Sequence, residues 1–269
     1  MAILFVGGGN MASALIGGML QHGISPSELA VVDISAAACA HVTTAFGVKA
    51  SNEVETAAAP EIVVLAVKPQ QMREVVRKLS PRLGGALVIS IAAGIRTADL
   101  SRWFGGHRRI VRAMPNMPAL IGAGVSGLYA MSGVTTSDRE TARRIVSAVG
   151  AAVWFEREED LDIVTAVSGS GPAYVFYFIE AIGEAARALG LDAAAAKQLT
   201  IDTFIGSAKL AAQSDESSAA LRARVTSKGG TTERALAVME AAQVKTHIVE
   251  AVKTAAQRAR ELGDAFAKD

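Results

Sequence analysis

The opening of the chain constrains its fold more than any other segment, because a short apolar run leads directly into three glycines. Ile3–Val6 has the composition of a buried strand, and Gly7, Gly8, Gly9, Asn10, Met11 and Ala12 then match the spacing G-x-G-x-x-A. In this pattern glycines permit a tight turn and close approach to a pyrophosphate, and the small final residue lets a helix pack on the strand. Because the match lies between a predicted strand and a predicted helix, it favours a dinucleotide-binding turn over an ordinary loop.

The first half of the sequence alternates short apolar runs with helical patterns. Strands are predicted at 3–6, 30–32, 61–67, 86–91 and 109–113. Helices are predicted at 11–21, 36–46, 71–79 and 97–104, and the alanine run at 57–59 also favours helix. This alternation predicts an α/β fold with a doubly wound, Rossmann-type parallel sheet. Segments 124–131, 138–149 and 152–155 should extend it, the first and last as strands.

The pattern changes after the charged stretch 156–162. Only helices are predicted beyond it, at 161–189, 193–213, 218–224, 231–240 and 244–267. We therefore expect a dinucleotide-binding domain, 1–157, followed by an all-helical domain, 158–269. The helix at 172–189 is apolar around most of its circumference and must be buried on several sides. Its own neighbours or a second subunit could cover it, and a homodimer is the prediction because the helical domain is small.

Composition argues against several classes of function. The 269 residues are 51% hydrophobic with a formal charge of +1, so no broad field favours nucleic acid or an anionic membrane. Cys39 is the single cysteine, which precludes an intrachain disulfide and is typical of a cytoplasmic protein. No signal-peptide pattern opens the chain, and the apolar run at 173–182 is too short to span a bilayer. No residues have metal-ligand spacing, so no metal site is predicted.

Asp33, at the end of the second predicted strand, is the candidate contact to the adenosine ribose. A carboxylate there can accept hydrogen bonds from the ribose hydroxyls and repels a 2′-phosphate. No Arg or Lys follows within 34–40 to hold that phosphate, so the residues favour NADH over NADPH. The alternative is an aspartate that only caps the next helix.

Further candidate cofactor contacts lie at later strand ends, where a parallel sheet binds its ligands. They are Ala66, Val67, Lys68 and Pro69, then Ala92, Ala93 and Gly94, and finally Asn116. The small residues at 92–94 leave space for a flat ring, and the segment 114–116 could close another side of that space. Lys68 fits a cofactor hydroxyl or a helix end equally well.

The sequence offers no strong acid or base for reduction of a carbonyl group, because none of its histidines accompanies a motif. A protonated imine suits such a site, since its carbon can accept hydride without a protein acid. Two polar turns could hold a carboxylate-bearing imine at helix starts. One contains Ser168, Ser170 and Gly171, and the other contains Gly229, Gly230, Thr231 and Thr232. A threonine is the expected amino-terminal cap of the second helix.

Six segments resemble the pyrroline-5-carboxylate reductase family, and they occur in family order between Ile3 and about Leu262. They are V-G-G-G-N-M, A-V-K-P, S-I-A-A-G, R-A-M-P-N, V-S-G-S-G-P-A-Y and V-T-S-K-G-G-T-T. The resemblance implies reduction of 1-pyrroline-5-carboxylate to L-proline, the last step of proline biosynthesis, with NADPH or NADH as donor. It also implies a helical domain that intertwines with that of a partner; assembly beyond the dimer is left open.

Carried over by position, the resemblance implies that residues 7–12 bind pyrophosphate and that Asn52 lies near the adenosine. Residues 66–69 and 92–94 would line the nicotinamide side. Residues 230–232 would meet the substrate carboxylate and ring nitrogen, with Thr232 as the catalytic candidate, and the serines at 168 and 170 would flank that pocket. Lys228 departs from the usual proline, and Asp33 departs from the residue types of NADPH-preferring members.

Two alternatives are weighed against this interpretation. A 3-hydroxyacid dehydrogenase-like enzyme would use a lysine on the helix after the serine–glycine turn, and residues 173–189 contain none. A nucleotide-sensing protein without turnover would not need polar turns at both sites. Turnover of pyrroline-5-carboxylate separates all three.

Overall fold

The computed structural model describes residues 2–53 and 60–268, and in these residues eight strands form one sheet. The strands are β1 Ile3–Val6, β2 Leu29–Val32, β3 Lys49–Ser51, β4 Ile62–Leu65, β5 Leu87–Ser90, β6 Ile110–Met114, β7 Gly124–Ala130 and β8 Gly150–Trp154. Their order is β3-β2-β1-β4-β5-β6-β7-β8, and β6 and β7 pair antiparallel in a sheet that is otherwise parallel. The alanine run at 57–59 lies outside the described residues.

Helices cover both faces of the sheet, which confirms the doubly wound fold. They are α1 Asn10–Gln21, α2 Ala36–Phe46, α3 Pro69–Leu83, α4 Thr97–Trp103 and α5 Thr136–Ser147. Alternate side chains of β1 serve the two layers, as the pleat of a strand requires. Ile3 and Phe5 join a core with α1, α2 and α5, whereas Leu4 and Val6 join a second core with α3 and α4.

Two of the differences between the structure and the predicted elements bear on the site. Strand β3 was not predicted, because three residues at a sheet edge carry no hydrophobic period. The single helix predicted at 161–189 is also wrong: it is α6 Asp160–Val164, a π-helical turn Thr165–Gly169, and α7 Gly171–Ala188. The amide of Ser170 donates to Thr165 O, five residues back, at 2.8 Å, and the neighbouring glycines have low helix propensity.

The chain divides into two compact units, Met1–Ser170 with Thr254–Asp269 and Gly171–Lys253. The remaining helices are α8 Ala193–Ala212, α9 Ser218–Arg224, α10 Thr231–Ala241 and α11 Val244–Lys268. Helix α11 begins in the second unit and ends in the first. An all-helical carboxyl-terminal region is confirmed, whereas a functional boundary between 157 and 158 stays a prediction. Within the described ranges, no helix is long and apolar enough to cross a membrane.

An ion pair fastens the start of α5 to the residue that precedes β6. The Arg109 guanidinium donates to both carboxylate oxygens of Asp138, at 2.7 and 3.2 Å. Asp138 also accepts the Thr135 N–H, and its own N–H donates to the Thr135 hydroxyl, which completes a capping box. The Arg109 hydrogen bonds, followed by those of Thr135, hold the pKa of the Asp138 carboxyl below its usual range.

Asp138→Asn should therefore destabilise the protein in a pH-dependent way. A lowered folded-state pKa stabilises the protein above the unfolded value of about 3.9, and that contribution is lost as pH falls through the folded value. We expect a loss of about 1–3 kcal/mol in unfolding free energy near neutral pH. The loss should shrink in acid when urea unfolding is followed across pH.

Glu140→Gln is the matched control, because its partner Arg143 lies on the same exposed face of α5. This variant should change the unfolding free energy little. An Asp138→Asn deficit that stays constant from neutral to acidic pH would contradict the electrostatic account.

Candidate active site

The carboxyl ends of β1, β2 and β4 converge on Gly7. The Gly7 N–H donates to Val32 O at 2.7 Å, and the Ala66 N–H donates to Val6 O at 2.8 Å. Gly7 has a φ of +104°, and a Cβ at this position would lie 2.5 Å from the carbonyl oxygen of Ala66. The turn therefore requires glycine both for its backbone conformation and for the close approach of β4.

The start of α1 offers backbone donors to an anion. Gly9 is the N-cap and provides no side-chain capping bond, and a Cβ built on it would meet nothing within 4 Å. The first N–H groups of a helix have no intrahelical partner, and the helix dipole there favours negative charge. Ala12 is 1% exposed and belongs to the core beneath, so the predicted turn 7–12 has the geometry that a pyrophosphate site needs.

A cavity of about 430 Å³ opens beside this turn. Among its walls are seven of the predicted cofactor residues, namely Gly7, Gly9, Asp33, Asn52, Ala66, Val67 and Lys68. The structure adds walls that sequence reasoning missed, among them Ile34, Glu53, Gln71, Glu74 and Lys78. The missed residues come mostly from α3, whose polar outer face carries no motif. Ala92, Ala93, Gly94 and Asn116 do not line this cavity.

The Asp33 carboxylate ties the glycine turn to the end of β2. Its Oδ2 accepts the Gly8 N–H at 2.7 Å, and its Oδ1 accepts the Ser35 N–H at 2.8 Å. The side chain that caps α2 is that of Ser35, which accepts the Ala38 N–H at 3.3 Å. Simple helix capping by Asp33 is therefore wrong. Each carboxylate oxygen keeps lone pairs for a hydroxyl donor.

The segments after β4 and β5 also carry predicted cofactor residues. Lys68 is exposed and stands at the N-cap of α3 without a capping hydrogen bond, so a helix-end role does not explain it. Pro69 occupies the first turn of α3, as its fixed φ favours. After β5, Ala92 is buried, Ala93 is exposed, and Gly94 adopts a φ of +77°.

Asn116 joins three segments through its side-chain amide. Its Nδ2 donates to Ser168 O at 3.2 Å, and its Oδ1 accepts the Val125 N–H at 2.9 Å. The residue is 8% exposed, so both bonds are largely withdrawn from water. Whether Asn116 also meets a cofactor stays a prediction, and its observed contacts hold the π-helical turn.

A buried ionic network lies beneath the π-helical turn, and sequence reasoning missed it. Arg112, 2% exposed, lies 3.4 Å from the carboxylates of both Glu158 and Asp162. Glu158 also accepts the N–H and the hydroxyl of Thr97, each at 2.7 Å. The sequence signal for this network was Arg112, a single charged residue within an apolar strand, because a buried charge needs ionic or hydrogen-bonding partners. The network fixes α6, which leads into Ser168, to β6 and the start of α4.

The predicted substrate residues fall in both units, Ser168 and Ser170 in the first and the remaining five in the second. The Ser168 hydroxyl donates to Val164 O at 3.0 Å and keeps its lone pairs for a donor. Gly171 begins α7.

The turn before α10 has a glycine cap. Gly230 is the N-cap without a side-chain bond, so the predicted threonine cap is wrong: Thr231 already lies inside the helix. The Gly229 N–H donates to the Glu233 carboxylate at 2.7 Å, and the Gly230 N–H donates to Ser227 O at 3.0 Å. The N–H groups of Thr231 and Thr232 thus open the helix where an anion is favoured.

The sheet, the glycine turn and the open helix start together define a dinucleotide-binding oxidoreductase fold in the first unit. Residues 2–94 match the family model described as NADP oxidoreductase coenzyme F420-dependent, and residues 158–262 match pyrroline-5-carboxylate reductase dimerisation. A pyrroline-5-carboxylate reductase of Pseudomonas aeruginosa is 42% identical, with 97% of each sequence covered. The chain belongs to the pyrroline-5-carboxylate reductase family, which confirms the resemblance.

Solved structures of the family agree with this assignment. A pyrroline-5-carboxylate reductase of Coxiella burnetii is similar with a TM-score of 0.90 at 39% identity, covering 97% of both chains. A Plasmodium falciparum pyrroline carboxylate reductase with NADP bound is similar with a TM-score of 0.88 at 30% identity, covering 98% of both chains. NAD(P)H is accordingly the cofactor class. The glycine turn fits such a group, because Gly7 lets β1 approach β4 closely and open space remains beside Gly9, where a side chain would otherwise stand.

Gly9→Ala tests whether this space holds the pyrophosphate. The added methyl group meets no protein atom, so the melting temperature should stay unchanged while the Kd for NADH rises about tenfold, roughly 1.4 kcal/mol. Calorimetric titration and thermal unfolding measure the two quantities. Gly7→Ala is the contrasting variant, since its methyl group meets backbone and should lower stability as well. Unchanged NADH affinity in Gly9→Ala would place the pyrophosphate elsewhere.

Proposed function

We propose that this protein reduces the carbon–nitrogen double bond of 1-pyrroline-5-carboxylate to give L-proline, the last step of proline biosynthesis, with NAD(P)H as donor. The observation that carries the proposal is the start of α10, where Gly230 leaves the N–H groups of Thr231 and Thr232 without a side-chain cap. Such a helix start suits the carboxylate of a small cyclic substrate. The full-length similarity to reductases of this name supports the same substrate.

The residues needed for this chemistry are holding and orienting groups. Bound NAD(P)H supplies the hydride, and a protonated imine needs no protein acid to accept it. We assign the substrate carboxylate to the turn Gly229–Thr232 and the ring nitrogen to the Thr232 hydroxyl. Ser168, Ser170 and Gly171 flank the substrate. His22 and His107 each bond a backbone carbonyl through one ring nitrogen, Gly18 O or Ala86 O, and neither is among the residues that line the cavity beside Gly7.

The adenosine side of the cavity favours NADH. Asp33, Glu53 and Glu74 line this cavity together with Lys68 and Lys78, and Glu74 pairs with Lys78 at 2.9 Å. The Asp33 carboxylate would repel a 2′-phosphate, whereas ribose hydroxyls can donate to it. We assign Asn52 to the adenosine, residues 66–69 and 92–94 to the nicotinamide side, and Gly8, Asn10 and Met11 to the pyrophosphate turn.

We assign the helical region to a homodimer. Several apolar side chains of α7 are exposed in the single chain, with Val175 at 44%, Phe176 at 53%, Tyr177 at 69% and Ile182 at 46%. Exposed apolar surface of this extent on one helix is typical of an interface. The match of residues 158–262 to a dimerisation family supports the assignment. We assign the boundary between the dinucleotide-binding domain and the helical domain to residues 157 and 158. We assign the protein to the cytoplasm. Sedimentation measures whether dimers assemble further.

Thr232→Ala should raise the KM for pyrroline-5-carboxylate and lower kcat/KM. One lost hydrogen bond costs about 0.5–1.5 kcal/mol, or about 2- to 12-fold in kcat/KM. Steady-state kinetics following NADH absorbance measure the effect. Thr232→Ser keeps the hydroxyl and should retain most activity, and Thr203→Ala is a control because that hydroxyl donates to Leu199 O within its own helix.

The same assay separates the alternatives. Oxidation of NADH without added imine acceptor would not support the proposal, and cofactor binding without turnover of pyrroline-5-carboxylate would indicate a sensor. Unchanged kinetics in Thr232→Ala would place the substrate elsewhere.

Asp33→Ser should move the cofactor preference towards NADPH. The unaltered protein should have the higher kcat/KM with NADH, and the ratio of the two cofactors should shift by about tenfold or more in the variant. The ratio is insensitive to general damage, which matters because Gly8 and Ser35 lose an acceptor. A tenfold preference of the unaltered protein for NADPH would overturn this assignment.

A further inference from the structure

The end of helix α11 packs against the loop that follows β5. Ring atoms of Phe266 lie 3.2 and 3.3 Å from the position that a Cβ on Gly94 would occupy. Asp264 Oδ1 pairs with Arg96 Nη2 at 2.7 Å, two residues further along the loop. Arg102 on α4 donates to Ala267 O at 3.1 Å. All of these residues belong to one compact unit.

The loop 92–94, against which these residues pack, has few polar anchors of its own. Ala92, Ala93 and Gly94 carry no polar side chain, and Gly94 holds a φ of +77°. The Ala92 N–H reaches Ser90 Oγ at 3.4 Å, at the long end of hydrogen-bond geometry. A glycine in this conformation is loosely determined by its own backbone, so packing from outside decides where it rests. The Phe266 ring, which also packs against the core of α3 and α4, supplies that packing.

The contacting residues lie beyond the part of the chain that matches the dimerisation family, which ends at residue 262. Gly263 is buried, and a Cβ there would come within 3.4 Å of Gly94 O. The close approach of α11 to the loop therefore begins at Gly263, which has no side chain, and continues through Asp264 and Phe266.

We infer that Phe266 and the Asp264–Arg96 pair are positioning residues that hold the loop 92–94 in the shape required by the nicotinamide ring. The inference rests on the proposed assignment of this loop to the nicotinamide side. Phe266 and Asp264 reach this segment from α11, and all three residues act through the loop on the reaction. Their removal should leave the adenosine end of the site, at Asp33 and Asn52, unchanged.

Phe266→Ala provides the main test, with NADH and ADP-ribose as paired probes. ADP-ribose lacks the nicotinamide ring, so its Kd should stay unchanged while the Kd for NADH rises several-fold. A loosened loop should also lower kcat by about tenfold or more, because small misplacement of reacting groups is costly. Phe266→Leu fills most of the same space and should restore both quantities.

Asp264→Asn tests the ion pair independently of the ring. It should lower kcat by a few-fold, a modest change because the carboxylate is largely exposed. Glu261→Gln is the matched control on the same helix, since Glu261 pairs with Arg258 and Gln257 of α11 itself. This control should leave kcat unchanged.

Two results would overturn the inference. If Phe266→Ala keeps the full kcat and NADH affinity, the contact does not position the loop. If the variant loses NADH and ADP-ribose affinity equally, the substitution has damaged the whole cofactor site. If Phe266→Ala fails to fold, the same comparison is made in Phe266→Leu and Asp264→Asn. Failure of the proposed function is distinguishable, because the unaltered protein would then not turn over pyrroline-5-carboxylate while the paired Kd comparison still reports on the loop.

Discussion

The close approach of β1 and β4 at Gly7 is the constraint on which the rest of the site depends. A side chain there would collide with the Ala66 carbonyl, so the end of β1 can meet β4 only through a glycine. That meeting directs the chain into α1 and leaves the helix start open to an anion. Asp33 then bonds the Gly8 N–H, which fixes the turn to the end of β2. One carboxylate thus shapes the turn and places a negative charge at the end of β2.

Buried polar groups organise the other side of the first unit. Arg112, Glu158 and Asp162 form an ionic network that is largely withdrawn from solvent, and Asn116 bridges to the carbonyl of Ser168. Groups of this kind are costly when unpaired, so each partner restricts where the others can lie. Together these contacts hold the π-helical turn, which contains Ser168 and in which the hydrogen bonds change from the α-helical to the π-helical spacing. This turn is the transition from the sheet to the helical region.

The sequence was sufficient for the architecture and for the glycine turn, because both depend on local patterns. Strand and helix periodicity predicted seven of the eight strands. The edge strand Lys49–Ser51 was not predicted, because it has no buried face and so no hydrophobic pattern. Tertiary contacts account for what could not be predicted. The partners of Asp33, Arg112 and Asn116 are distant in sequence, and Phe266 reaches Gly94 across most of the chain. The helix start at Thr231 was foreseen as a site, but its glycine cap required the backbone geometry.

We expect a nicotinamide dinucleotide to bind at the carboxyl ends of β1, β2 and β4. A crystal structure of the protein with NADH and L-proline is the most direct measurement. The pyrophosphate oxygens should lie within hydrogen-bond distance of the N–H groups that open α1, with an adenosine ribose hydroxyl donating to the Asp33 carboxylate. Density for the pyrophosphate at any other place on the protein would contradict it.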